Sequence, residues 1–139
     1  MRVVFDTNIL ISAFVFPSGA PEYAYRAAIQ GDIESVTSPV LLAEFARVLS
    51  EKFRWDPRMV EEAVSQVARI GTVARPVEEV AVVEADPDDD RVIEAAISAG
   101  ADIIVSGDRH LEKLGRWEST RILRAADLLR EVGVEWKPT

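Results

Sequence analysis

Two hydrophobic rhythms alternate along this chain. Val3-Val4-Phe5, Ile33 to Thr37, Ile103-Ile104-Val105 and Arg121-Ile122-Leu123 are short apolar runs of the kind that form strands. Between them, apolar positions recur at helical spacing. Ile9-Leu10-Ile11 with Ala13-Phe14 predicts a helix ending before Pro17-Ser18-Gly19. Ala24, Ala27, Ala28 and Ile29 predict a second, with Pro21 as its first residue and a stop near Gly31. Ser38-Pro39 reads as an N-cap followed by proline at the first helical position, opening a helix that buries Leu41, Leu42, Phe45, Val48 and Leu49. Asp56-Pro57 opens another, with Val60, Ala63, Val64, Val67 and Ala68 facing inward. Thr72-Val73-Ala74 suits a short strand, whereas Val77 to Val83 fits neither period. Asp88 is expected to cap a helix that Gly100 stops. His110 to Leu114 and Ala125 to Val132 complete the helices. Such alternation predicts an α/β fold with a parallel sheet covered on both faces. No repeat, low-complexity run or linker divides the chain, so one domain over residues 1–139 is expected.

The candidate chemistry lies where three segments end in acids: Val4-Phe5-Asp6-Thr7-Asn8, Asp86-Pro87-Asp88-Asp89-Asp90 and Val105-Ser106-Gly107-Asp108. Open α/β sheets bind ligands at the C-terminal edge of their strands. Acids converging there repel one another unless a cation sits between them, so a divalent-metal site is the first inference. Asp6 suits either a helix cap or a metal ligand, with Thr7 and Asn8 holding it. In the acidic run, Asp89 precedes Val92, Ile93, Ala96 and Ile97 by three, four, seven and eight residues, which puts it in line with the apolar stripe. An acid on a buried face must be paired or bound. Asp89 is therefore the preferred ligand and Asp90, a quarter-turn away, the alternative. Asp108 suits a turn or a ligand aimed by the strand before it. Asp102, at the other end of that strand, reads as surface. Glu44 flanks a helical stripe and on pattern alone reads as solvated.

Composition narrows the classes. The chain has no cysteine, which excludes disulfides, thiolate metal sites and cysteine nucleophiles. The formal net charge of −8 argues against binding nucleic acid through a broad basic face, but leaves contact through metal ions open. His110 is the single histidine, too few for a zinc site, and reads as a substrate contact or a surface residue. Arg109 is better suited to phosphate. Trp55, Trp117 and Trp136 are scattered rather than grouped for base stacking. No apolar run approaches a membrane span and no signal-peptide pattern opens the chain, so a cytoplasmic protein is expected.

Taken in order, Val4-Phe5-Asp6-Thr7-Asn8, Asp86-Pro87-Asp88-Asp89 and Ala101 to Asp108 resemble the PIN-domain ribonucleases, with matching spacing from Met1 to about Leu128. The resemblance implies a three-layer α/β/α sandwich around a central parallel sheet. It implies Asp6, Glu44, Asp89 and Asp108 as the catalytic, metal-binding acids, which turns Glu44 from solvated residue to ligand. Thr7, Asn8 and Ser106 match supporting polar positions. His110 stands where many relatives carry a further Asp, which puts a second metal in doubt. The activity implied is Mg²⁺- or Mn²⁺-dependent hydrolysis of single-stranded RNA, leaving a 5′-phosphate. Small stand-alone members are often VapC-type toxins of toxin–antitoxin pairs, so a cognate antitoxin and a homodimer are further expectations. Two other readings remain open here. One is a partner-binding module with weak catalysis. The other is an enzyme forming an aspartyl-phosphate at Asp6, against which stand Asn8, where a haloacid-type phosphatase wants an acid, and Arg109, where a receiver wants lysine.

Overall fold

Among the described residues, short β-rich runs pair in the computed structural model into one six-stranded sheet of order β3-β2-β1-β4-β6-β5. The strands are β1 (Arg2–Phe5), β2 (Glu34–Thr37), β3 (Thr72–Val73), β4 (Ile103–Val105), β5 (Arg116–Trp117) and β6 (Thr120–Leu123). The structure describes residues 1–76 and 87–137, without the side chains of 87–89. Val77 to Val83, ambiguous by periodicity, therefore lies outside the described residues. Every neighbouring pair is parallel except β5 and β6. That edge hairpin was not visible in the pattern, because Arg116-Trp117 is too short and too polar to register as a strand. A two-residue turn joins it to β6, with Glu118 at φ 53°.

Seven helices pack on the sheet among the described residues: α1 (Thr7–Val15), α2 (Ala20–Ile29), α3 (Pro39–Glu51), α4 (Pro57–Ile70), α5 (Pro87–Ala99), α6 (Arg109–Leu114) and α7 (Ala125–Glu131). Alternation along the strands sorts their side chains to two faces. Val3, Phe5, Ile103 and Val105 join α1, α2, α3, α4 and α7 in one core. Val4, Val36, Ile104 and Ile122 join α5 and Leu111 of α6 in the other. The result is the three-layer α/β/α sandwich with a mostly parallel sheet. Burying an aliphatic side chain such as Ile103 or Ile104 contributes roughly 1.5–3 kcal/mol, and both are completely buried.

Helix ends follow local chemistry. The Ser38 side chain accepts from the Leu41 N–H at 3.3 Å, and Asp56 accepts from the Arg58 N–H at 2.8 Å, each just before a helix-opening proline. Two expectations shift by one position. Helix α2 starts at Ala20, making Pro21 its second residue, and α5 starts at Pro87, so Asp88 lies inside the helix it was expected to cap. Gly71 ends α4 where the backbone runs against β2: a Cβ there would meet the Ser35 carbonyl oxygen at 2.5 Å. No helix among the described residues is long and apolar enough to cross a membrane.

Candidate functional site

The chain leaves β1 towards β2 and β3 on one side and returns through β4 and β6 on the other. The C-terminal ends of β1 and β4 thus flank a topological switch point, where such sheets place ligands. Asp6 follows β1 directly, its N–H donating to the Val105 carbonyl at 2.9 Å and so extending the β1–β4 pairing. The pattern admitted a capping role for Asp6, but its side chain makes no cap hydrogen bond to α1. One of its carboxylate oxygens instead accepts from Ser106 Oγ at 2.7 Å. The same Ser106 oxygen accepts the Asp108 N–H at 2.9 Å. A single buried hydroxyl therefore ties together the two acids delivered by the central strands.

Asp6 is only 5% exposed. Burial pushes its carboxyl above the ordinary value of 3.8. The Ser106 hydrogen bond offsets part of that rise, the neighbouring Asp108 charge adds to it, and the Thr7 and Asn8 N–H groups ease it electrostatically. An acid held in this way favours a proton or a cation. Asp108 does cap α6: its Oδ1 accepts from the His110 N–H at 2.8 Å and the Leu111 N–H at 3.3 Å. Capping and metal ligation are compatible, since a carboxylate has about four lone-pair sites. His110 is half exposed, with Nδ1 3.6 Å from the same Oδ1.

Glu44 is not simply solvated. It is half-buried on α3 and accepts from the buried Thr7 hydroxyl at 3.3 Å, linking α3 to the first residue of α1. Asn8 is exposed in the first turn of α1. The structure therefore joins Asp6, Ser106 and Asp108 in one hydrogen-bonded group, and Glu44 to Thr7, the residue after Asp6, in a second. The Asp89 side chain lies outside the described residues. Asp90, expected off the buried stripe, is 4% exposed. The reason is that α5 buries more than one stripe: Val92 to Ala96 is continuously covered. Asp90 is in line with Ile93, Glu94 and Ile97. Glu94, which sequence reasoning passed over, is also buried and pairs with Arg91 at 3.1 Å. An acid interrupting the run Val92-Ile93-Glu94-Ala95-Ala96 was the available signal.

Among the described residues no three acid or imidazole side chains are gathered closely enough to hold an ion. The donors are nonetheless suited to a hard cation. They are carboxylate oxygens, with no thiolate in the chain, and Asp6 is a buried acid whose ionised form burial and Asp108 both disfavour.

Comparison with known proteins agrees with this geometry. An uncharacterized protein of Methanocaldococcus jannaschii, MJ1680, is 30% identical over 118 residues, covering 82% of this chain and 75% of that protein. Residues 2–110, which run from the first strand past both central acids, match the PIN domain family, and the chain belongs to it.

Proposed function

We propose that this protein is a divalent-metal-dependent endoribonuclease acting on single-stranded RNA, with Mg²⁺ or Mn²⁺ held by Asp6, Glu44, Asp89 and Asp108. PIN domains are generally nucleases and typically use divalent metals, which supports the coarser part of this reading. The observation that carries it is the coupling of Asp6 and Asp108 through Ser106 at the switch point of the sheet. When bound, such a cation makes water a stronger acid and offsets negative charge developing on the phosphate oxygens.

The chain's own residues prepare the site. Ser106 fixes the rotamer of Asp6 by donating to one oxygen. Thr7 holds Glu44 towards the same edge. The Asp108 cap fixes the start of α6 and so the direction in which Arg109 and His110 leave the site. Asp90, buried in the first turn of α5, is assigned a supporting place next to Asp89. Preorganisation of this kind matters because charged ligands placed in advance need no rearrangement when the substrate arrives.

The toxin role, the cognate antitoxin and the homodimer rest on the resemblance to small stand-alone PIN domains. They are tested by growth arrest on expression and by mass measurement in solution. The nuclease is tested with metal-stripped protein and a mixed pool of single-stranded RNA. Restored cutting on adding Mg²⁺ or Mn²⁺, with 5′-phosphate products and no cutting by Asp6→Asn, is expected. Equal cutting by Asp6→Asn would refute the assignment.

A further inference from the structure

A chain with a net charge of −8 repels a polyanion over most of its surface. Its cations are not spread evenly. Between residues 109 and 124 there are five, Arg109, Lys113, Arg116, Arg121 and Arg124, against only two acids, Glu112 and Glu118. This segment starts at the residue after Asp108 and forms α6, β5 and β6.

Ion pairing divides the five. Arg121 is bound by Glu131, and Arg124 by Glu112, so that Glu112 is neutralised at the foot of α6. Arg109, Lys113 and Arg116 make no ion pair with any described acid, and all three are exposed. Leu111 and Leu114 turn the other side of α6 into the core. Arg109 and Lys113 are four residues apart and lie together on the solvent side of the helix. Arg116 continues from them into the edge strand β5. These cations therefore run from beside Asp108 along α6 to the outermost strand β5, where Arg116 lies opposite Arg121, level with the start of β4.

We propose that this strip is the track along which the phosphates of single-stranded RNA pass beside the acids. The proposal rests on the nuclease reading and assigns three residues of this chain to substrate binding. Charge complementarity is the argument. The acids would repel an approaching strand, and this strip, which begins at the residue after Asp108, carries cations that described acids leave unneutralised. The residues touch backbone phosphates, so they govern affinity and not base preference.

The test is the salt dependence of binding to a fluorescent twelve-nucleotide single-stranded RNA, with every protein carrying Asp6→Asn to prevent cutting. Each phosphate contact on a single strand contributes about 0.7 to the slope of log affinity against log salt. The variant Arg109→Gln/Lys113→Gln/Arg116→Gln should lose about 2 from that slope. The charge-matched control Arg54→Gln/Arg58→Gln/Arg69→Gln, on and beside α4, should keep the parent slope. An unchanged melting temperature shows that both triple variants are folded. Equal slopes for the two triple variants would overturn the track and leave the nuclease standing, and this is also the outcome if the strip serves an acidic protein instead. Absence of RNA binding by the parent itself would overturn both readings.

Discussion

Removing one hydroxyl, in Ser106→Ala, perturbs the site at its most connected point. The side chain is 1% exposed, donates to Asp6 at 2.7 Å and accepts from the Asp108 N–H at 2.9 Å. A hydrogen bond to a charged group contributes about 1.5–3 kcal/mol and a neutral one about 1 kcal/mol, so the loss of both should cost about 2–4 kcal/mol. The cost should depend on pH. The folded-state pKa of Asp6 lies above its ordinary 3.8, chiefly through burial, so the ionised carboxylate is the expensive form in the folded protein. That penalty is complete above the raised value and is relieved as the pH falls from there towards 3.8. Ser106 holds the pKa down, so without it the folded value rises further and relief begins at a higher pH. The deficit of Ser106→Ala against the parent should be full at alkaline pH and shrink as the pH falls through this window. Urea unfolding of metal-free protein at several pH values measures it. Repeating the substitution in Asp6→Asn should show a coupling energy of about 1–2 kcal/mol, because the charged partner is gone. A deficit below about 0.5 kcal/mol, the usual range for inconsequential surface changes, or one that is constant with pH, would show that Ser106 does not hold the Asp6 carboxylate.

Two other perturbations test the frame around the site. Gly71→Ala should destabilise by about 1–3 kcal/mol, because its Cβ would meet a backbone oxygen that cannot swing aside; a melting temperature equal to the parent's would show that α4 can move off β2. The Tyr25 phenol is pushed up to about 12, first by burial and against the pull of Gln66 and Arg69, while its hydroxyl makes no hydrogen bond among the described residues. Its folded pKa is raised, so ionisation costs no stability below pH ~10 and stability falls as the pH rises from there through ~12. Tyr25→Phe should remove that late ultraviolet titration without lowering stability at neutral pH, and a clear loss of stability would reveal a hydrogen bond that the hydroxyl needs.

The sequence carried the frame of the fold because its signals there are local. Val3 to Phe5 and Ile103 to Val105 are short apolar runs, and each ends at a polar segment, which placed Asp6 and Asp108 at one edge. The caps Ser38 and Asp56 are likewise written within two or three residues. The rest depends on contacts far apart in the chain. Glu44 reaches Thr7 across thirty-seven positions, and no helical phase reveals that its flank meets the start of α1. Ser106 bridges two acids only once β1 and β4 are side by side. Helical phase also misjudged Asp90, because phase assumes one buried face and α5 is covered on more than one. The β5–β6 hairpin is held by pairing of two residues in each strand, too few to leave a period in the pattern.

Whether acids from the ends of β1 and β4 share a cation is decided by a crystal soaked in Mn²⁺ and measured at the manganese absorption edge. An anomalous peak is expected within coordinating distance of carboxylate oxygens of both Asp6 and Asp108, absent from Asp6→Asn crystals. Saturating Mn²⁺ with no peak there, or a peak whose ligands exclude Asp6, would contradict a shared cation.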